Sequence, residues 1–251
     1  MEKETVRQRG ISQSILTPIA IIIGFGLIAA AIYFSGLKSG EGEVVKNTGD
    51  NTNAGTAPSL EAINPVTEDD HIRGNPNAQI VLVEYSDYDC PFCKNFHETM
   101  KRIMADYGTD GKIAWVYRQF PIAQLHPSAP HIAESAECVA SLGGNEAFWA
   151  FSDQIFEERE TNEQTDITRL SEFAVAAGVS KDEFESCLDS GEQRSAVEED
   201  YNNAQDIGAR GTPHTVILVG DEQGLINGAQ PYAVVKEIID NLLKGIEAGT
   251  L

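Results

Sequence analysis

The sequence predicts an α/β domain with a helical insertion, preceded by one transmembrane helix and a flexible linker. Three observations carry this prediction: β-branched and aromatic runs typical of buried strands, a long later stretch without strand signals, and one uncharged apolar run near the N-terminus. A chain of 251 residues is long enough for one ample domain with appendages. We therefore expect a single folded domain over residues 68–251, with its appendages in front.

The N-terminal part of the chain contains the candidate membrane anchor. Residues 1–13 are polar and are predicted to form a cytoplasmic tail, and the apolar run within residues 14–35 can cross about 30 Å of hydrocarbon as a helix. A cleaved signal peptide is the alternative, because Ala29-Ala30-Ala31 offers small residues to a peptidase. The apolar run is longer than the roughly 7–15 residues of a signal peptide, which favours the anchor. More basic residues precede the run than follow it closely, which favours a cytoplasmic N-terminus and an extracytoplasmic domain.

Residues 36–67 are predicted to form a flexible tether. They are rich in Gly, Asn, Thr, Ser, Glu and Ala and contain few large apolar side chains, so they cannot bury enough surface to fold. The formal net charge of the chain is −21. Nucleic acid and anionic lipid both require a basic surface, so neither is an expected partner. The plainer explanation of this acidity is that it keeps the domain soluble.

A predicted buried strand leads directly into a C-x-x-C motif. The run from Ile80 to Tyr85 is β-branched and aromatic, and the motif Cys90-Pro91-Phe92-Cys93 follows it. Proline favours the first helical turn, so Cys90 is predicted at the N-cap with Cys93 one turn further on the same side. Unpaired backbone N–H groups and the helix dipole favour a thiolate at that position. A thiolate is the form that attacks and leaves in disulfide exchange.

Two further features accompany this motif. Glu84 lies six residues before Cys90 within the apolar run, so we expect its carboxyl group to point under the motif, where it needs a partner or a role. Much later, Thr212-Pro213 opens another apolar strand, a position where proline is allowed and an X-Pro bond can be cis. The plainer alternatives are an acid satisfied by a neighbouring Lys or backbone group and an ordinary strand-start proline.

The elements after the motif follow from hydrophobic periodicity. In order, they are a helix over 94–107, a strand over 113–120, a helical insertion over about 128–208, a strand over 214–219, a short antiparallel strand over 225–227 and a closing helix over 232–245. The insertion reads as five helices and interrupts an otherwise regular α/β unit.

The chain has four cysteines, Cys90, Cys93, Cys138 and Cys187. An even number suggests pairing in an exported protein, whereas the same number in the cytosol would suggest catalysis or metal binding. Zinc would need two further soft ligands at suitable spacing. Because Cys138 and Cys187 have no neighbouring C-x-x-C or paired His, no metal site is predicted.

The combination of Glu84, Cys90-Pro91-Phe92-Cys93 and Gly211-Thr212-Pro213 resembles the DsbA-like branch of the thioredoxin superfamily, over roughly residues 69–245. The resemblance implies a thioredoxin fold with a helical insertion, in which a Thr-cis-Pro segment lies against the active disulfide. It also implies a second disulfide between Cys138 and Cys187, since some DsbA-like proteins carry one in this insertion. Two buried free thiols are the alternative.

The resemblance also implies the roles of the site residues. Cys90 would be the nucleophile and Cys93 the buried resolving thiol, and the protein would use no cofactor beyond this redox-active pair. Glu84 would move protons to or from Cys93. Thr212 would pair with a substrate strand beside Pro213.

We therefore expect a membrane-tethered thiol–disulfide oxidoreductase that introduces disulfides into exported proteins and is reset by a membrane redox partner. Phe92 stands where the prototype oxidase has His, and Phe cannot donate charge or a hydrogen bond to the thiolate. Reduction or isomerisation therefore remains an alternative direction. A different class, a tethered binding or chaperone module with an inert thioredoxin fold, is weakened by the intact Cys90 and Cys93 pair.

Overall fold

A mixed β-sheet is the frame of the domain. In a computed structural model, which describes residues 59–251, its strands are β1 (His71–Gly74), β2 (Ile80–Ser86), β3 (Ile113–Gln119), β4 (His214–Val219) and β5 (Glu222–Asn227). The spatial order is β1-β3-β2-β4-β5. β2 lies at the centre, parallel to β3 and antiparallel to β4, and β1 and β5 pair antiparallel at the two edges. The predicted tail and membrane anchor lie outside the described residues.

Helices cover the sheet and form the insertion. They are α1 (Pro91–Ile103), α2 (Ala129–Glu158), α3 (Leu170–Ala176), α4 (Lys181–Ser190), α5 (Arg194–Asp206) and α6 (Tyr232–Ala248). A kink at Gly144, with φ of 76°, divides α2 into two helical segments, because glycine adopts positive φ readily. The helical insertion is confirmed, and it runs from α2 to α5 between β3 and β4.

None of the helices in residues 59–251 combines the length and the apolar character needed to cross a membrane.

The alternation of side chains along β2 separates two hydrophobic cores. Leu82 points to the larger core, which also contains Phe96 of α1 and Val235 of α6. Val83 points to the smaller core on the opposite face, which α5 covers. Glu84 follows Leu82 at the next even position, so strand geometry places its carboxyl group in the larger core.

The segment of residues 59–67 packs against the domain, although the predicted tether extends to residue 67. Three of its apolar side chains contact the smaller core: Leu60, Ile63 and Val66. Arg118 of β3 donates hydrogen bonds to the carbonyl oxygens of Asn64 and Pro65 at 3.0 and 3.1 Å. The predicted boundary therefore lies too late in the chain, because the apolar side chains and carbonyl groups of this segment find partners that are distant in sequence.

Candidate active site

The junction of β2 and α1 holds the C-x-x-C motif. Cys90 is the N-cap residue of α1, and Pro91 occupies the start of the helix, where its missing N–H removes no hydrogen bond. Lys94 N donates to Cys90 O at 3.2 Å and closes the first turn. The positive end of the helix dipole therefore lies at Cys90, as the spacing of the motif predicts.

The two cysteines of the motif are free thiols in different surroundings. Cys90 is 4% exposed and its Sγ lies 3.5 Å from Thr212 O, whereas Cys93 is fully buried and its Sγ accepts from Asp87 N at 3.5 Å. Hydrogen bonding from the Cys93 thiol is the main cause that lowers the pKa of Cys90, to about 6, against the opposing effect of burial. Burial is the main cause that raises the pKa of Cys93 well above its usual value. At neutral pH, Cys90 is therefore a thiolate and Cys93 is a thiol.

The loop before β4 lies against Cys90. The Thr212–Pro213 peptide bond is cis, and the contact from Cys90 Sγ to Thr212 O joins segments 122 positions apart. A groove of about 580 Å³ runs beside this loop, and its lining includes Arg210, Pro213 and Leu225. An extended peptide placed in this groove would lie close to the Cys90 sulfur.

Glu84 lies in the core at the same junction and is fully buried. Its Oε2 atom accepts a hydrogen bond from Trp115 Nε1 at 2.9 Å, and its Oε1 atom has no hydrogen-bond partner within residues 59–251. Burial raises the pKa of Glu84 to about 7, and the charge of Cys90 adds to this effect. The charge of Glu84 in turn raises the pKa of Cys93. This carboxyl group can therefore hold or release a proton near neutral pH.

Two hydroxyl groups next to Glu84 were missed by the sequence analysis. Ser86 follows Glu84 by two positions on the same face of β2, and Tyr117 of β3 is paired with Glu84 across the sheet. Both side chains are buried, and neither hydroxyl has a hydrogen-bond partner in the described part of the chain. The period of two along β2, which predicts the direction of Glu84, also predicts the direction of Ser86.

Asp87 organises the loop that precedes the motif. Its carboxylate accepts hydrogen bonds from Asp89 N and Ile122 N at 2.8 Å each, and it lies 2.9 Å from His126 Nδ1. The position of Asp87 just after a strand indicates by itself no more than a turn residue. Its partner His126 lies more than thirty positions further along the chain, so turn chemistry alone could not identify this contact.

The helical insertion contributes a buried cation to the site. Arg159 follows α2 and is 5% exposed, and its Nη2 atom donates to Cys90 O at 3.0 Å. In the same loop, Thr165 donates to Asp89 Oδ1 from its backbone N at 2.8 Å and from its hydroxyl at 2.7 Å. No local pattern marks Arg159, which is 69 positions from Cys90 in sequence.

The remaining cysteines lie in the insertion. Cys138 of α2 and Cys187 of α4 form a disulfide, with their Cα atoms 5.9 Å apart. Phe92, the remaining residue of the motif, is 62% exposed and offers an apolar surface beside Cys90. Within residues 59–251, no group of three or more His, Cys, Asp and Glu side chains has the arrangement of a metal site.

Known proteins share the sequence pattern and the fold of this chain. A family model described as Thioredoxin matches residues 66–241. The oxidised crystal structure of BdbD from Bacillus subtilis is 24% identical, with a TM-score of 0.63, and the match covers 75% of this chain and all of that one. The thiol-disulfide exchange protein alpha-DsbA2 from Wolbachia pipientis is 26% identical, with a TM-score of 0.54, and the match covers 68% of this chain and 86% of that one.

One relative in sequence is named as an ion transporter and not as an oxidoreductase. The Na(+)/H(+) antiporter NhaA 1 of Mycolicibacterium vanbaalenii is 32% identical over 157 residues, which cover 61% of this chain and 24% of the antiporter. The chain thus spans about a quarter of the length of this curated relative. From the family match and the shared fold we conclude that the chain belongs to the thioredoxin family, as a DsbA-like member with the fold of thiol–disulfide oxidoreductases.

Proposed function

We propose that this protein is an oxidase that introduces disulfides into exported proteins through the Cys90–Cys93 pair. The observation that carries the proposal is the difference between the two thiols, since the pKa of Cys90 is lowered to about 6 while Cys93 is a buried thiol. A stabilised thiolate favours the dithiol form over the disulfide form. The disulfide form therefore accepts electrons readily from other thiols.

The reaction transfers two electrons from a client dithiol to the protein disulfide. A client thiolate attacks the Cys90 sulfur, the Cys90–Cys93 bond breaks, and Cys93 leaves and takes up a proton. The second client thiolate then attacks the client sulfur of the mixed disulfide, and Cys90 leaves as a thiolate. The client becomes a disulfide and the protein a dithiol, with one proton retained on Cys93 and the other released.

Glu84 is the proposed donor of the proton to Cys93. Both groups are fully buried, and the charge of Glu84 acts on the pKa of Cys93. The pKa of Glu84, raised by burial to about 7, lets the carboxyl group exchange protons at neutral pH. Thr212 is the proposed pairing site for an extended client segment, because its carbonyl oxygen already lies 3.5 Å from Cys90 Sγ. Pro213 lines the adjacent groove.

The proposed setting is the outer face of the cell membrane. The N-terminal helix over residues 14–35 would anchor the chain with residues 1–13 in the cytoplasm, and a tether would let the domain reach newly exported clients. A membrane redox partner would reoxidise the dithiol. The partial match to a protein named as an antiporter supports a member of this family working beside a membrane. Ion transport is not proposed, because only 24% of that protein is matched.

The direction of the reaction is tested by redox equilibration of the full chain with glutathione. We expect an equilibrium more oxidising than that of an unperturbed dithiol, together with rapid oxidation of a dithiol peptide and slow reduction of insulin. Cys90→Ser should abolish both reactions. A potential as low as that of a reductase, with fast insulin reduction, would reverse the proposed direction.

The location and the catalytic class are tested separately. A membrane-impermeant thiol reagent applied to intact cells should label Cys90, and labelling that appears only after lysis would contradict the proposed topology. A Cys90→Ala protein that still supports disulfide formation in cells would instead indicate a non-catalytic binding or chaperone module.

A further inference from the structure

A buried arginine from the helical insertion contacts the nucleophilic cysteine residue. Arg159 Nη2 donates to Cys90 O at 3.0 Å, so the two residues are neighbours in space although the insertion separates them in sequence. We propose that Arg159 is a positioning residue that fixes the backbone at Cys90 and stabilises the Cys90 thiolate with its positive charge. The inference rests on the proposed exchange chemistry at Cys90, and it identifies a group that stabilises the Cys90 thiolate.

The contacts of Arg159 involve carbonyl oxygens. Nη1 donates to the carbonyl oxygens of Glu160, Thr161 and Glu163 at 3.4, 3.3 and 2.9 Å. Within residues 59–251, no carboxylate oxygen lies within 4 Å of its guanidinium nitrogens. These carbonyls satisfy most of its donors but do not neutralise its charge. A buried cation without an ion-pair partner favours a negative charge nearby.

The charges that face Arg159 come from two elements. Asp87, Asp89 and Cys90 lie on the β2–α1 loop, and Cys93 and Lys94 lie on α1. Asp87 is already engaged by His126, whereas Thr165 donates only to Oδ1 of Asp89 and Oδ2 has no hydrogen-bond partner within residues 59–251. Lys94 donates to the carbonyl oxygens of Phe156 and Glu157 at the end of α2. Asp89 and the Cys90 thiolate are therefore the two negative charges that interact most strongly with Arg159, and of these Cys90 is the one that gains and loses its charge during disulfide exchange.

The arrangement explains how the motif can work with Phe92 between its cysteines. Phe92 supplies neither charge nor a hydrogen bond, and its side chain is largely exposed. Arg159 instead contacts Cys90 at its backbone carbonyl oxygen. During oxidation of a client, Cys90 leaves the mixed disulfide as a thiolate, and the charge of Arg159 stabilises this leaving group without taking part in bond formation.

The test compares Arg159→Gln, which removes the charge, with Arg159→Lys, which keeps it. The measurement is the rate of alkylation of Cys90 in the reduced full chain as a function of pH, followed by equilibration with glutathione. We expect Arg159→Gln to raise the alkylation midpoint by at least half a pH unit and to make the equilibrium at least threefold less oxidising. Arg159→Lys should shift the alkylation midpoint and the equilibrium by less than half as much as Arg159→Gln does.

The control is Arg169→Gln, which removes an exposed arginine of the same insertion that pairs with Glu158 and Glu172. It should reproduce the wild-type profile. An Arg159→Gln profile that coincides with the wild type overturns the inference. Equal shifts in Arg159→Gln and Arg159→Lys also overturn it, because charge would then play no part.

A measurement on the wild-type chain covers the case in which the Arg159 variants do not fold. In a pH titration, the guanidinium NMR signals of Arg159 should shift with the same midpoint as the alkylation of Cys90. This shift should vanish in Cys90→Ser. Signals that stay constant across the Cys90 titration would overturn the inference. Failure of the proposed oxidase function would appear differently. The wild-type chain would then not oxidise a dithiol peptide, although Cys90 would still be alkylated with a lowered midpoint and Arg159→Gln would still raise that midpoint.

Discussion

Replacing Glu84 with Gln should stabilise the protein at alkaline pH and slow its chemistry. Burial raises the pKa of Glu84 from 4.5 to about 7, so the folded state holds a proton that the unfolded state has lost between these values. Stability is therefore lost as the pH rises through this window, and it is greatest below 4.5. The two pKa values differ by about 2.5, which corresponds to about 3 kcal/mol of lost stability above pH 7.

The assay is chemical denaturation of the wild type and Glu84→Gln at pH 5 and pH 8, with both proteins in the same thiol state. Gln keeps an acceptor for Trp115 Nε1 and remains neutral at both pH values. The advantage of Glu84→Gln over the wild type should therefore grow by roughly 2–3 kcal/mol from pH 5 to pH 8. Any unsatisfied amide donor of Gln adds a constant term, which cancels in this comparison.

The control for this prediction is Glu237→Gln, which neutralises an exposed carboxylate on α6. Its effect on stability should be small and should not follow the same pH window. A stability difference for Glu84→Gln that is equal at pH 5 and pH 8 would refute the reasoning. The exchange rate of Glu84→Gln should fall with the fold intact, and an unchanged rate would remove the proposed proton transfer.

Three further predictions concern the thiols and the buried arginine of β3. Alkylation of Cys90 should be half-maximal near pH 6, because the neighbouring Cys93 thiol lowers its pKa, and the excess of thiolate at pH 7 should make the pair about 30 mV more oxidising than an unperturbed one. Replacing Cys138 and Cys187 with Ser opens a loop of 49 positions, so urea denaturation should show a loss of about 4 kcal/mol. Arg118→Met leaves the Asp70 carboxylate, which lies 2.8 Å from Arg118 Nε, without its buried partner, and should cost about 3 kcal/mol in the same assay.

Each of these predictions has an outcome that contradicts it. An alkylation midpoint above pH 8 would mean that Cys90 is an ordinary thiol. Equal denaturation midpoints before and after removal of Cys138 and Cys187 would mean that their bond does not constrain the unfolded chain. An Arg118→Met protein as stable as the wild type would mean that the cation is not needed to hold residues 59–67 against the sheet.

Local chemistry in the sequence determined most of the fold. The β-branched run of β2, the proline at the start of α1 and the positions of the helices in the insertion are visible in short windows of sequence, because they follow from side-chain periodicity and backbone preference. The direction of Glu84 also follows from the period of two along a strand, once the opposite faces of β2 are recognised as buried. The spacing of Cys90 and Cys93 predicts their placement at a helix N-terminus for the same reason.

Tertiary structure alone decided which distant groups meet at the site. The contact of Cys90 with Thr212, the approach of Arg159 and the bond between Asp87 and His126 join segments that no periodic pattern relates. The packing of residues 59–67 was hidden for the same reason, because their partners lie on β3 and α5, far away in sequence. Sequence determines what each segment can form by itself, whereas burial and charge at a site depend on which segments the completed fold brings into contact.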